Sequence, residues 1–158
     1  MKRNEREVSD IQIIDDIINR ADVCRIALAN DNIPYIVTLN FGYESSPERK
    51  LYFHCANKGR KLEMIRKNSY VCFEMDTGHE IITGTKACDW GMKYRSVVGY
   101  GYIKIINEKA AKKEGLNCIM RHYGAEGEFT YYNNMLDRTT LLQLEITEIT
   151  GKKSCHNK

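Results

Sequence analysis

The residues from Ala56 to Lys61 read Ala-Asn-Lys-Gly-Arg-Lys, a basic turn centred on glycine. A strand-like run precedes it and a helix-like run follows. Free N–H groups at the start of a helix bind anions, and the helix dipole adds positive potential there. Gly59 lets the backbone approach a ligand closely, and Lys58, Arg60 and Lys61 add charge. Phosphate is the ligand this pattern suits, with a solvated basic turn as the plainer alternative. His54, upstream on the strand, shares a face with Tyr52 and Ala56. Adjacent strand residues point to opposite sides, so His54 and Cys55 cannot form a nucleophile–base pair with each other. A structural, half-exposed histidine is the alternative reading. Arg25, Ala27 and Ala29 alternate along another strand, a flat shelf with a guanidinium fork for an anion or carbonyl. An edge strand with one outward arginine would look the same. Cys118 and His122, four apart on a helix, are half a metal site. Zinc needs three or four ligands, and only the tail pair Cys155–His156 is left to complete the set, so no metal is expected. Trp90 with Tyr94, Arg95 and Ser96 suits either a ring system or a dimer contact.

These residues must be positioned by short elements. Ser9 with Gln12 is a candidate capping box, and Ile11, Ile14, Ile17 and Ile18 predict an amphipathic helix over 10–20. From Val23 the period becomes two: Cys24, Ile26 and Leu28 on one face, Arg25, Ala27 and Ala29 on the other. Asp31–Asn32 is a turn signal. Strands are then expected over 33–41, 50–56 and 70–75, with a helix from Arg60 to about Lys67 between the last two. A further strand is expected near Glu80–Thr83, with Trp90 in a loop, and a clear one over 95–106. A helix starting at Asn107 or Glu108 runs to about Tyr123, its inner stripe Leu116, Ile119, Met120 and Tyr123. Residues 124–138 read as irregular, and 139–150 as a closing strand. Six or seven short strands with few helices between them predict an antiparallel β-barrel rather than a doubly wound parallel sheet.

The 158 residues, 42% hydrophobic and 28% charged, fit one domain over 1–158 with an ordered core of about 10–150. A net charge of +3 gives no dense positive surface, so nucleic acid is not an expected partner despite ten tyrosines. Lys109–Lys112–Lys113 and Lys152–Lys153 read as solvated surface. No apolar run approaches the length of a membrane span, and MKRNEREVSD does not resemble a secretory signal. The six cysteines form no CxxC pair. Free thiols in a reducing cytoplasm are the expectation.

The run from Arg25 to Ala29, LYFHCANKGRKLEMI at 51–65, YVCFEM at 70–75 and YRSVVGYGYIKII at 94–106 together resemble the flavin-binding split barrels related to pyridoxamine 5'-phosphate oxidase. Within that group the chain is most similar to the nitroimidazole-resistance family, in its His-x-Ala-x-x-Gly-x-Lys run at 54–61, YRSVVGYG at 94–101 and Met-x-His-Tyr-Gly at 120–124. The resemblance covers about residues 10–150. It implies a six-stranded antiparallel split barrel, a homodimer, and FMN (with FAD open) in clefts between the subunits.

Residue by residue, the resemblance implies that Arg25, Ile26, Ala27 and Leu28 line the flavin, with Thr38, Leu39 and Asn40 beside the ring. His54, Cys55 and Ala56 occupy the third strand, and Gly59, Arg60 and Lys61 hold the phosphate. Tyr94, Arg95, Ser96 and Val97 arrive from the partner subunit. His54 is the implied catalytic residue, on the substrate side, and reduction of a small nitroaromatic the implied chemistry. The oxidase branch carries an Arg-rich C-terminal substrate motif, where this chain reads ITGKKSCHNK, so the resemblance points away from pyridoxamine phosphate oxidation. A haem-binding protein of the same fold, with His54 or His122 as axial ligand, and a non-catalytic flavin binder are the alternatives.

Overall fold

The computed structural model describes residues 6–154, so the tail pair Cys155–His156 lies outside the described residues. In chain order the elements are β1 (Glu7–Val8), α1 (Ile11–Arg20), β2 (Cys24–Asn30), β3 (Ile33–Leu39), β4 (Phe41–Glu44), β5 (Lys50–Ala56), α2 (Arg60–Lys67), β6 (Tyr70–Ile82), β7 (Gly91–Ile106), α3 (Lys109–His122), α4 (Asn133–Arg138) and β8 (Thr139–Ser154). A short 3-10 turn, Ala87–Asp89, precedes β7. The strands form one antiparallel sheet of eight in the order β3-β2-β6-β7-β8-β5-β4, with β1 pairing to β8. The barrel class expected from the sequence holds, but the count of six does not. Two short pieces, β1 and β4, account for the difference. The run over 33–41 is broken at Asn40, and Phe41 starts a separate strand that pairs with β5. With Asn40 alone between them, β3 and β4 stand at opposite edges of the sheet, so the sheet curls until the end of one edge strand meets the start of the other at a seam.

Alternation sets the inner face. Ile26 and Leu28 of β2, Leu51 and Phe53 of β5, Val71, Phe73 and Met75 of β6, Val97 and Ile103 of β7, and Leu142 and Leu144 of β8 are all buried. Burying a phenylalanine such as Phe53 or Phe73 contributes about 1.5–3 kcal/mol. Gly99 is required where β7 passes the Phe73 ring, since an added Cβ would meet that ring. The β2–β3 hairpin closes through Asp31 and Asn32, at φ 51 and 61, the backbone that a two-residue turn between twisted strands demands.

The helices cover parts of this barrel. Ile14, Ile17 and Ile18 of α1 are buried. Its cap is Asp10, which accepts from the Gln12 N–H at 2.9 Å, not the expected Ser9. Leu62, Met64 and Ile65 anchor α2, whose bounds are those the sequence predicts. α3 crosses the outside of β4, β5 and β8. Gly42 lies against the backbone of Cys118 and Ile119, and Gly115 lies against Leu141 and Tyr52. The expected inner stripe of α3 is only partly right, because Met120 is 42% and Tyr123 44% exposed. Of the stretch 124–138, read as irregular, the last six residues are α4. β6 runs on to Ile82 and β7 starts at Gly91, so the hairpin around Trp90 is longer than expected. The Trp90 indole N–H donates to the Gly84 carbonyl at 2.8 Å.

Candidate functional site

The turn between β5 and α2 is held from behind. The Asn57 amide donates to the Asp137 carbonyl at 2.6 Å, and its oxygen accepts from the Thr140 hydroxyl at 2.8 Å. Gly59 then takes φ +138 with open space where a Cβ would stand. It caps α2 through its carbonyl, which accepts from the Leu62 and Glu63 N–H groups at 3.0 and 3.3 Å, and no side chain caps the helix. The N–H groups of Arg60 and Lys61 are therefore left without an acceptor among the described residues, beside two cations. Among the described residues neither Arg60 nor Lys61 has an ion pair. The Arg60 guanidinium stacks on the Tyr35 ring at 4.7 Å from its centroid. Lys61 lies near Cys55: burial raises the Cys55 thiol and the Lys61 charge opposes that. These donors fit a phosphate monoester.

His54 is exposed, on the same outer face as Tyr52 and Ala56, and pairs across the ladder with Leu141. It has no hydrogen-bond partner among the described residues. Cys55 is half-buried on the inner side and Ala56 is exposed. On β3, Thr38 is exposed on the outer face opposite Arg25, while Leu39 turns inward opposite Cys24. Asn40, between β3 and β4, donates from its side-chain amide to the Tyr123 hydroxyl at 3.2 Å.

Three expectations are corrected. Arg25 does not offer an open fork, because its guanidinium donates to Glu74 Oε2 at 3.0 Å and Asp76 Oδ1 at 2.6 Å. Burial and the Asp76 charge raise the Glu74 carboxyl, with Arg25 opposing. At Asp76 burial pushes upward too, but the Arg25 and His79 contacts outweigh it and the carboxyl is lowered. Ile26, Leu28 and Val97, expected to line a flavin, are 1%, 2% and 0% exposed and point their side chains into the core, as strand alternation requires. Lys112, read as solvated, donates to the Leu136 carbonyl at 3.0 Å and the Thr139 carbonyl at 2.8 Å.

Tyr94, Arg95 and Ser96 do not meet the β5–α2 turn within one chain. Ala56 pairs with Thr139 and Tyr94 with Ser154, the two ends of a 16-residue strand. Arg95 donates to Asp16 Oδ2 at 3.2 Å, and Lys152 lies 5.3 Å from the Tyr94 ring centroid. Ser96 pairs with Asp76 on one side and Lys152 on the other. Cys118, its thiol raised to about 11 by burial and the Glu44 charge against Arg121, and His122 are joined by no third metal-ligating side chain among the described residues. His122 is held by the Ala21 carbonyl at 3.0 Å and by the Phe41 ring at 4.1 Å. Its Nε2 is hydrogen-bonded within the chain in this structure.

The outer face of β3, β2, β6 and β7 was missed. It exposes Ile36, Tyr70, Val98, Tyr100 and Tyr102, with Tyr70 stacked on Tyr100 at 6.0 Å between centroids. The signal was present in the alternation of YGY at 100–102 against buried Gly99 and Gly101. Glu74 and Asp76 alternate with Phe73 and Met75 in the same way.

One curled antiparallel sheet of eight strands with helices packed outside it defines the split-barrel class. The chain belongs to the pyridoxamine 5'-phosphate oxidase family, whose pattern it matches over residues 10–153. Among solved structures it is similar to a candidate 5-nitroimidazole antibiotic resistance protein of Bacteroides thetaiotaomicron. That protein shares 30% identity over 93% of this chain and 86% of its own, with a TM-score of 0.81. The flavocytochrome of Azotobacter vinelandii shares 18% identity over 96% of this chain and 70% of its own, with a TM-score of 0.79. A protein of Mycobacterium smegmatis described as binding FAD and haem shares 18% over 94% and 73%, with a TM-score of 0.82. At that identity the latter two show a shared fold. No curated protein matches the chain. No helix among the described residues is long and apolar enough to cross a membrane.

Proposed function

We propose that the chain is a flavin-dependent oxidoreductase that holds FMN between two copies of itself and reduces nitroimidazole-like nitroaromatics. The observation that carries this reading is the start of α2, where Arg60, Lys61 and uncapped N–H groups converge and neither cation has an ion pair among the described residues. Such a donor set is what a phosphate monoester requires. Family membership and the printed description of the Bacteroides relative support the cofactor and substrate class.

In this reading Lys61 and Arg60 bind the phosphate. Ala27, Ala29 and Thr38, on the outer faces of β2 and β3, offer a flat surface to a ring system. Arg25, tied to Glu74 and Asp76, stiffens that surface rather than binding the anion. A bound flavin supplies the electron transfer, and the protein binds and orients it. His54 carries a proton to the reduced substrate, a task suited to an exposed imidazole near neutral pH. A second copy covers the aromatic outer face and brings its own Tyr94–Val97 segment to the site. The five described free thiols fit a reducing compartment, and we place the protein in the cytoplasm.

The test is the visible spectrum of the purified full chain, followed by turnover of a nitroaromatic with a reduced nicotinamide. Flavin bands at one per chain are expected, and His54→Ala should keep the flavin but slow reduction by ~10²-fold or more. A Soret band would replace this reading with the haem-binding one. Bound flavin without any turnover would replace it with a non-catalytic binder.

A further inference from the structure

Between Glu80 and Lys93 the β6–β7 hairpin leaves the barrel as an arm. β2 pairs with β6 only as far as Glu74, and β8 pairs with β7 only as far as Tyr94. Beyond the register shift at Thr77/Glu80, where Gly78 takes φ +68, the two strands continue with no third strand beside them among the described residues. No residue from Gly78 to Lys93 is buried. Ile81 and Met92, directly opposite each other on the arm, are both exposed, and so is Trp90 at its tip. The tip is nonetheless built. The Trp90 indole is tied to the Gly84 carbonyl, and Gly84 lies so close to Asp89 that an added Cβ would meet it. A two-stranded ribbon is marginally stable in water by itself. A fixed, exposed tryptophan beside two apolar side chains is the make-up of an interface anchor. We propose that this arm docks on a second copy of the chain, at the tyrosine end of its outer face, an inference that rests on the pairing of two copies and not on the flavin.

The outward side of β7 leads from the arm to that face. Met92, Val98, Tyr100 and Tyr102 are exposed along it, in step with buried Val97, Gly99, Gly101 and Ile103. Arm and aromatic face are therefore one stripe, bulky at both ends and small at Ser96 midway. A twofold contact sets one patch against itself, so two stripes lie face to face in either the same or opposite directions. The same direction brings Lys86, without an ion pair among the described residues, against its own counterpart. The opposite direction brings it toward the end that holds Glu148, which stands across the ladder from Tyr100 and is equally unpaired. That direction also lays Trp90 on the partner's Tyr102 and Met92 on the partner's Tyr100. Tyr70, Tyr100 and Tyr102 already form one ring cluster, and aromatic and thioether groups gain from such contacts.

Trp90 is the only tryptophan in the chain, so its emission reads the arm alone. The experiment follows that emission, its quenching by acrylamide and the mass from light scattering over one dilution series of the purified full chain. As the pair dissociates, the emission should move to the red and quenching should rise, in step with the loss of mass. Met92→Lys, which touches no core residue, should weaken the pair about tenfold or more. Tyr102→Ala lies up to about 40 Å from Trp90 along the strand, so it reaches the indole only across the pair. At concentrations where this variant still pairs, its Trp90 should be more readily quenched than the parent's. Mass that halves while Trp90 stays exposed throughout would overturn the arm and leave the pair standing on another surface. A monomer at every concentration would overturn both. Trp90 protected in the monomer would show that the chain covers its own arm, and a Tyr102→Ala pair with unchanged Trp90 quenching would show the wrong direction. Either result overturns the proposal, and none of these readouts depends on whether flavin is bound.

Discussion

α2 and α3 begin in opposite ways. At α3, Glu108 turns its carboxylate onto the helix it precedes and accepts from the Ala110 N–H at 2.9 Å and the Ala111 N–H at 2.7 Å. Those two bonds hold its carboxyl below the ordinary value. The first basic residue there, Lys109, faces Asp137 at 3.3 Å. At α2 the residue before the helix is glycine, no side chain caps it, and Arg60 and Lys61 stand at the positive end of the dipole. Cations at a helix start are unfavourable by themselves. The α3 start is satisfied by the Glu108 cap, whereas the α2 start has no side-chain cap and only Glu63 as an acidic residue in its first turn. Basic residues near a helix start thus mark a binding site only where the helix has not supplied its own acceptor.

The contrast is testable with pairs of substitutions. The largest effect is expected for Lys61→Ala, which should weaken flavin binding by roughly 10–150-fold with little change in stability. Lys113→Ala, exposed on α3, is the control, and equal losses in a fluorescence titration would break the assignment. Lys112→Ala should do the reverse. It releases two carbonyls near the α4–β8 junction, so we expect a loss of about 1–3 kcal/mol in urea unfolding with flavin affinity unchanged. Gly59→Ala forces a side chain onto φ +138. With open space around it, only backbone strain of about 1–3 kcal/mol is expected, and added phosphate or FMN should recover part of the melting temperature.

The smallest effect belongs to Glu108→Gln. Because the folded Glu108 carboxyl is lowered by its two backbone bonds, its stabilising contribution is present above the unfolded value near 4.5. It is lost as pH falls through the lower folded value. The variant should therefore melt slightly below the parent at neutral pH and converge with it in acid, in thermal scans across that range. A gap that persists in acid would show that the cap acts by something other than charge.

What could be read from the sequence was local. Gly59 followed by Leu62 and Ile65 gave α2 its bounds, and Asp31–Asn32 gave the hairpin, because each signal lies within a few residues of its consequence. Arg25 looked free because its partners are 49 and 51 residues away. Lys112 looked solvated for the same reason, its acceptors lying 24 and 27 residues on. The break at Asn40 carries no glycine or proline, and Thr-Leu-Asn-Phe continues a strand pattern while the chain changes sheet edge. Of the candidate site, the glycine turn before α2 and the outward direction of His54 were legible. The aromatic outer face emerged only once Tyr70, Tyr100 and Tyr102 were brought side by side across β6 and β7.

The seam at Asn40 bears on solubility and assembly. An exposed sheet edge offers a row of unpaired backbone groups that can recruit strands from other molecules. Here the two edge strands are leashed by one residue. The Tyr123 hydroxyl clamps the leash, accepting from the Phe41 N–H at 3.2 Å while donating to the Asp22 carbonyl at 2.7 Å. The end of β3 and the start of β4 are held together at this one point, while no backbone ladder joins the two strands among the described residues. In the proposed pair the second copy covers the flat aromatic face, a contact that closes after two copies, whereas strand addition at an edge would not.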